Sequence, residues 1–210
     1  VPEMRTWKKV MLVLPLVIFI ICLFWVTDYL NRYDKEYYDT VFDEQIDRVN
    51  HVVEAVDSLK SAGVNYQYGS EIYNTLVLHE MERMNSEPGI SACVITLGFD
   101  YITPEGTNPD LEKLFEIGNT EKSKLLDEMQ KSATGEITVE SDETPMKIYW
   151  REMPTINPGY YVVVGVDNHQ ILRNVNVMPL KIFTFIISIV TLVSIYDSLF
   201  LRMKHEGAEK

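Results

Sequence analysis

The chain has no glycine before Gly63 and no proline between Pro15 and Pro88, so nothing in that stretch interrupts a helix. It has only two cysteines, Cys22 and Cys93, too few for a disulfide framework; they leave either one intermolecular bridge or buried inert thiols. Lys and Arg form no run longer than the Lys8-Lys9 pair, and the formal net charge is -12. Such a chain cannot neutralise a phosphate backbone, which excludes nucleic acid as a partner. Metal and catalytic signatures are missing too. His79-Glu80 is followed by Met81, Glu82 and Arg83, without the second histidine of a zinc helix. The stretch Asp100 to Gly106 lacks the spaced oxygens and distal glutamate of a calcium loop, although the many acids leave calcium open. Gly98 and Gly106 stand alone rather than in a phosphate loop, and Ser61, Ser70 and Ser91 lack the context of an activated nucleophile. The expectation is a non-enzymatic protein with no cofactor and no metal site.

What the chain does have is two long apolar runs. Val10 to Thr27 is 18 residues without a charge, roughly 27 Å as a helix, which matches a bilayer's hydrocarbon core. The second run, Ile182 to Leu199, is more polar, but its Ser and Thr hydroxyls can bond to their own helix, and Lys181 can snorkel. Arg5, Lys8 and Lys9 precede the first run while Arg202 and Lys204 follow the second, so the positive-inside tendency puts both termini in the cytoplasm. The predicted layout is a cytoplasmic tail (1–9), a first transmembrane helix (10–30), an extracytoplasmic domain (31–176), a second transmembrane helix (179–201) and a cytoplasmic tail (202–210). The central domain carries the acidity, with 27 acids against 12 bases from Asp28 to Met178. It is therefore poorly suited to lie on anionic lipid.

Inside that domain, Tyr38, Phe42, Gln45, Val49, Val52, Val56 and Leu59 recur at steps of four and three, with Ile46 and Val53 widening the stripe. The stripe suits packing on the domain's own sheet or on a partner helix, as in a homodimer. Ser70 is a predicted cap for a helix carrying Tyr73, Leu76, Val77, Met81 and Met84. A strand is expected over Ser91–Leu97, with a turn or bent edge over Asp100–Gly106. Helices are expected over Asp110–Ile117, capped by Asn108-Pro109, and over Glu121–Lys131, capped by Thr120. Gly135–Ser141, Met146–Met153 and Tyr160–Val166 are separated by turn chemistry and read as antiparallel neighbours, after which Asp167 can cap another helix. The fold class is α+β: a long N-terminal helix on an antiparallel sheet, flanked by two transmembrane helices.

The candidate residues for a small-molecule site are Arg151, Tyr149 and Tyr101. If the three face a cleft on the side of the sheet away from the long helix, the guanidinium can hold a carboxylate while the rings enclose the rest. Arg151 paired with an acid, and tyrosines covering a sheet edge, account for the same residues without a ligand. The order of segments, Cys93-Val-Ile-Thr-Leu-Gly-Phe-Asp-Tyr-Ile-Thr-Pro-Glu-Gly106, then Ile148-Tyr-Trp-Arg-Glu-Met153, then Gly159-Tyr-Tyr-Val-Val-Val-Gly-Val-Asp167, resembles an extracytoplasmic single Cache sensor domain. The resemblance spans about Asp34 to Val175. It implies a PAS-like sheet with a pocket for a small carboxylate or amino acid, Tyr149 and Arg151 on a lining strand, and Tyr101 near the pocket mouth. The fuller arginine-tryptophan-tyrosine and aspartate pattern of amino-acid-binding members is not present. The implied function is a bacterial or archaeal receptor that relays ligand binding across the membrane. Beyond the second run only Arg202 to Lys210 remains, so the expected output is either a missing module or a separate membrane protein. The contrasting expectation is an assembly or scaffold subunit whose domain and helices bind neighbours, with Ser188, Thr191 and Ser194 as helix contacts.

Overall fold

The unbroken stretch after Pro15 forms one helix. The computed structural model describes residues 2–64, 71–96, 100–103, 106–108, 115, 117–140, 145–153, 159–174 and 177–208, and in it α1 runs Pro2–Ser61 with Pro15 inside it. Gly63, at φ 73°, ends the helix: its N–H donates to Lys60 O, and Val64 N–H donates to Leu59 O. This pair of bonds is a Schellman closure, which needs a residue at ease in the left-handed region. The chain divides into two compact units, residues 37–175 and residues 1–36 with 176–210.

In the 37–175 unit the element order after α1 is α2 (Glu71–Tyr73), a π-helical turn (Asn74–Leu78), α3 (His79–Asn85), β1 (Ile90–Ile95), β2 (Tyr101–Thr103) and β3 (Gly106–Asn108). Then come α4 (Asn119–Lys131), β4 (Thr134–Glu140), β5 (Pro145–Glu152), β6 (Tyr161–Asp167) and α5 (Asn168–Asn174). The strands form one sheet in the order β3-β2-β1-β6-β5-β4, antiparallel throughout. The last three strands are consecutive neighbours, as their turn chemistry implied. The first and last strands meet at the centre, with Ile90 opposite Val166 and Ile95 opposite Tyr161.

Both faces of the sheet are covered, as the nearly continuous apolar run of β6 requires. One face carries Ile90, Ala92, Val94, Val162, Val164 and Val166 and packs against the α1 stripe from Tyr38 to Val56 and against Val77, Met81 and Met84. The stripe thus packs on the chain's own sheet. The other face carries Cys93, Ile95, Ile148, Trp150 and Val163 and packs against Phe115 and the α4 residues Leu125 and Met129. Gln45 is a polar residue inside the stripe, only 1 % exposed, and its Oε1 has no hydrogen-bond partner among the described residues.

Local details depart from the sequence expectations. The helical stretch before β1 contains five π-helical residues, which apolar spacing alone does not reveal. The expected Ser70 cap, Leu97 and nearly all of the Asp110–Ile117 helix lie outside the described residues. The helix expected over Glu121–Lys131 with a Thr120 cap begins two residues earlier, at Asn119, with extended Gly118 at the cap position and no side-chain cap bond. Of the two readings of Asp100–Gly106, a turn or a bent edge, the second holds: the segment contains β2 and the first residue of the edge strand β3. Where short β2 stops covering β1, the Asn85 side chain substitutes for a strand: Nδ2 donates to Ala92 O at 2.8 Å, and Ala92 N–H donates to Oδ1 at 2.5 Å. Asp167 does act as a cap, its Oδ1 accepting from the N–H groups of His169 and Gln170 at 2.8 and 3.1 Å.

The other unit holds the N-terminal part of α1 and α6 (Val177–Ala208). Both helices contain stretches long and apolar enough to cross a membrane. Large apolar side chains point outward along them, Phe24 and Trp25 each 74 % exposed. Ser188, Thr191 and Ser194 donate to Thr184 O, Ile187 O and Val190 O, so their hydroxyl protons are spent within α6. Lys181 Nζ meets Asp34 Oδ2 at 2.6 Å, tying α6 to α1.

Candidate functional site

Alternation along β5 decides what each side chain meets. Met146, Ile148 and Trp150 turn to the α4 face, and Lys147, Tyr149 and Arg151 turn to the α1 face. Tyr149 and Arg151 therefore point toward the long helix, not away from it. Tyr101 sits on the opposite face, half-buried against the cluster that contains Phe115 and Trp150. The structure brings together two of the three expected site residues and separates the third by the thickness of the sheet.

The residues that complete the cluster come from α1 and β4. Asn50 Oδ1 accepts from Tyr149 Oη at 3.0 Å and from Arg151 Nη1 at 2.7 Å. Thr134 Oγ1 donates to Tyr149 Oη at 3.1 Å, which fixes the phenol between strand and helix. Glu54 Oε1 lies 3.4 Å from Arg151 Nη1, but its side chain is 61 % exposed. That long, wet ion pair holds the guanidinium weakly. Arg151 Nε and Nη2 have no partner among the described residues, leaving the edge that can grip a carboxylate with two bonds. Asn50 and Glu54 carried a signal in the sequence, since they stand four apart at the margin of the apolar stripe.

Further along the same face, Tyr38, Asp39 and Phe42 surround Lys147. Its ammonium contacts Asp39 Oδ1 at 2.6 Å and lies 5.3 and 5.2 Å from the ring centres of Tyr38 and Phe42. Tyr38 Oη donates to Val166 O at 2.7 Å and accepts from Lys147 N–H at 3.1 Å. Burial, the largest cause, pushes the Tyr38 phenol up to about 12, and the nearby Asp167 and Asp39 carboxylates act in the same direction. A hollow of about 100 Å³ lies beside this group, lined by Phe42, Glu136, Ile137, Thr138 and Lys147. In the two-helix unit an apolar groove of about 360 Å³ is lined by Leu14, Ile18, Cys22, Ile187 and Thr191 among others. Burial raises the Cys93 thiol well above its ordinary range, so it is a core group rather than a nucleophile.

No family model, no curated protein and no solved structure matches this chain.

Proposed function

We propose that the chain is a membrane-anchored sensor whose 37–175 unit is an extracytoplasmic, PAS-like domain of the single Cache kind. It binds a small carboxylate or amino acid and passes a conformational change toward the membrane through α1. One observation carries this reading: Arg151 stands beside Tyr149 with two guanidinium nitrogens open, bonded to Asn50 and Glu54 of the same helix that contains the first apolar run. A carboxylate on Nε and Nη2 would compete with the loose Glu54 contact and change the hold of the sheet on α1. Such a ligand acts as a signal only by binding two arrangements of helix and sheet unequally. The meeting of β1 and β6 at the centre of an antiparallel sheet supports the PAS-like assignment. The outward Phe24 and Trp25 side chains support burial of the apolar helices in lipid.

Calorimetry on the full chain in detergent, across organic acids and amino acids, tests the proposal. Binding at micromolar to millimolar levels is expected, with Arg151→Ala abolishing it and Glu54→Ala tightening it several-fold. Absence of heat at millimolar ligand, or unchanged affinity in Arg151→Ala, removes this site. A second reading, an assembly subunit that binds other membrane proteins, is favoured by the small size of the hollow on the α1 face and the larger apolar groove beside α1 and α6. A stable complex with another membrane protein in detergent, with no ligand response, would select it.

A further inference from the structure

β4 is the terminal strand of the sheet, and no described strand lies beyond it. Its seven residues all pair with β5, from Thr134 opposite Arg151 to Glu140 opposite Pro145. One bond reveals which backbone groups remain outward. Glu152 N–H donates to Ala133 O, so the hydrogen-bonded pairs fall on odd-numbered residues of β4. The N–H and C=O groups of Thr134, Glu136, Thr138 and Glu140 therefore point away from β5. The Thr134 carbonyl is taken by Ser132 Oγ at 2.6 Å, and the outward groups of Glu136, Thr138 and Glu140 have no partner among the described residues.

The pairing register of this edge is unbroken by a bulge, and it has no proline within it; what guards it against another strand is charge of one sign, two glutamates and no lysine. The side chains of Glu136 and Glu140 are exposed, sit on one face about 13 Å apart, and have no ion-pair partner among the described residues. A second copy fits badly, because antiparallel pairing of two β4 strands in full register gathers four glutamates on one seam of a chain whose net charge is already -12. We infer that β4 docks an extended segment of another protein bearing Lys or Arg at two positions four residues apart. Backbone bonds to Glu136, Thr138 and Glu140 supply the pairing, and the two carboxylates select the basic strand. This inference uses none of the residues proposed to hold a ligand, Arg151, Tyr149, Asn50 and Glu54, although Glu136 and Thr138 also line the hollow beside Lys147.

The test uses the full chain in detergent and a labelled synthetic peptide, Lys-Val-Thr-Val-Lys-Val-Thr, followed by fluorescence anisotropy. Saturable binding that weakens with salt is expected. Thr138→Pro removes one outward N–H without touching the β5 ladder, and should weaken binding about tenfold or more. The double variant Glu136→Lys/Glu140→Lys should do the same, and it keeps the test valid if the proline variant does not fold. A scrambled peptide with its lysines adjacent, hence on opposite faces, should also lose about tenfold. Equal binding of the scrambled peptide, or unchanged binding in the double variant, would overturn the inference. So would chain dimers dissolved by Thr138→Pro, which would assign the edge to a second copy.

Discussion

Gly165 stands opposite Ile148 on the α4 face, where an added Cβ would lie 2.9 Å from the Phe115 ring and 2.8 Å from Met146 Sδ. Gly165→Ala is expected to lower stability by about 1–3 kcal/mol in denaturant titrations, through overpacking. Gln45 presents the opposite situation. Its buried Oε1 has no described partner, so Gln45→Met should raise stability by about 1 kcal/mol in the same measurement. Tyr38 links stability to pH. Its folded pKa is raised to about 12 from 10.0, so the neutral phenol's contribution is complete below pH 10 and is lost as pH rises through 12. Tyr38→Phe should flatten alkaline unfolding between those values, read by circular dichroism, while removing a bond to Val166 O worth about 1 kcal/mol. Residue chemistry was legible for Arg151 and Tyr149 as a pair, because alternation puts them on one face. It was not legible for Tyr101, whose face depends on how β1 and β2 register.

At the scale of elements, α1 was readable because its stripe keeps steps of four and three from Tyr38 to Leu59, and because Gly63 is the first residue suited to closing it. The face it covers was not readable. β5 is most apolar at Met146, Ile148 and Trp150, yet those residues meet Phe115 and α4, while α1 takes the side of Lys147, Tyr149 and Arg151. The reason lies in β6, which is apolar on both sides, and in Asp39, Asn50 and Glu54, which give α1 polar partners for an amphipathic strand face. Asn85 was also invisible to pattern, since it works by completing the β1 ladder at Ala92. Asn85→Ala should cost about 1–3 kcal/mol and speed amide exchange at Ala92, because both backbone groups lose their partner.

Across the whole molecule, the proposed topology places Ser61 outside the membrane and both termini inside. In intact cells a membrane-impermeant maleimide should label a Ser61→Cys variant without permeabilisation, since Ser61 is exposed, Cys22 lies in the first apolar run and Cys93 is buried. Labelling only after permeabilisation would reverse the sidedness. The central seam of the sheet has a consequence for how the molecule is made. β4, β5 and β6 are near in sequence and can pair locally, but β1 must wait for Tyr161–Asp167 to be synthesised before Ile90 finds Val166. Until then Ala92, Val94 and the α1 stripe lack the β6 strand they close on, so a nascent chain carries an open apolar surface while the residues between β1 and β6 are made. Its newest residues at the moment of closure are those leading into α6, so completion of the sheet and emergence of the second apolar helix are consecutive events.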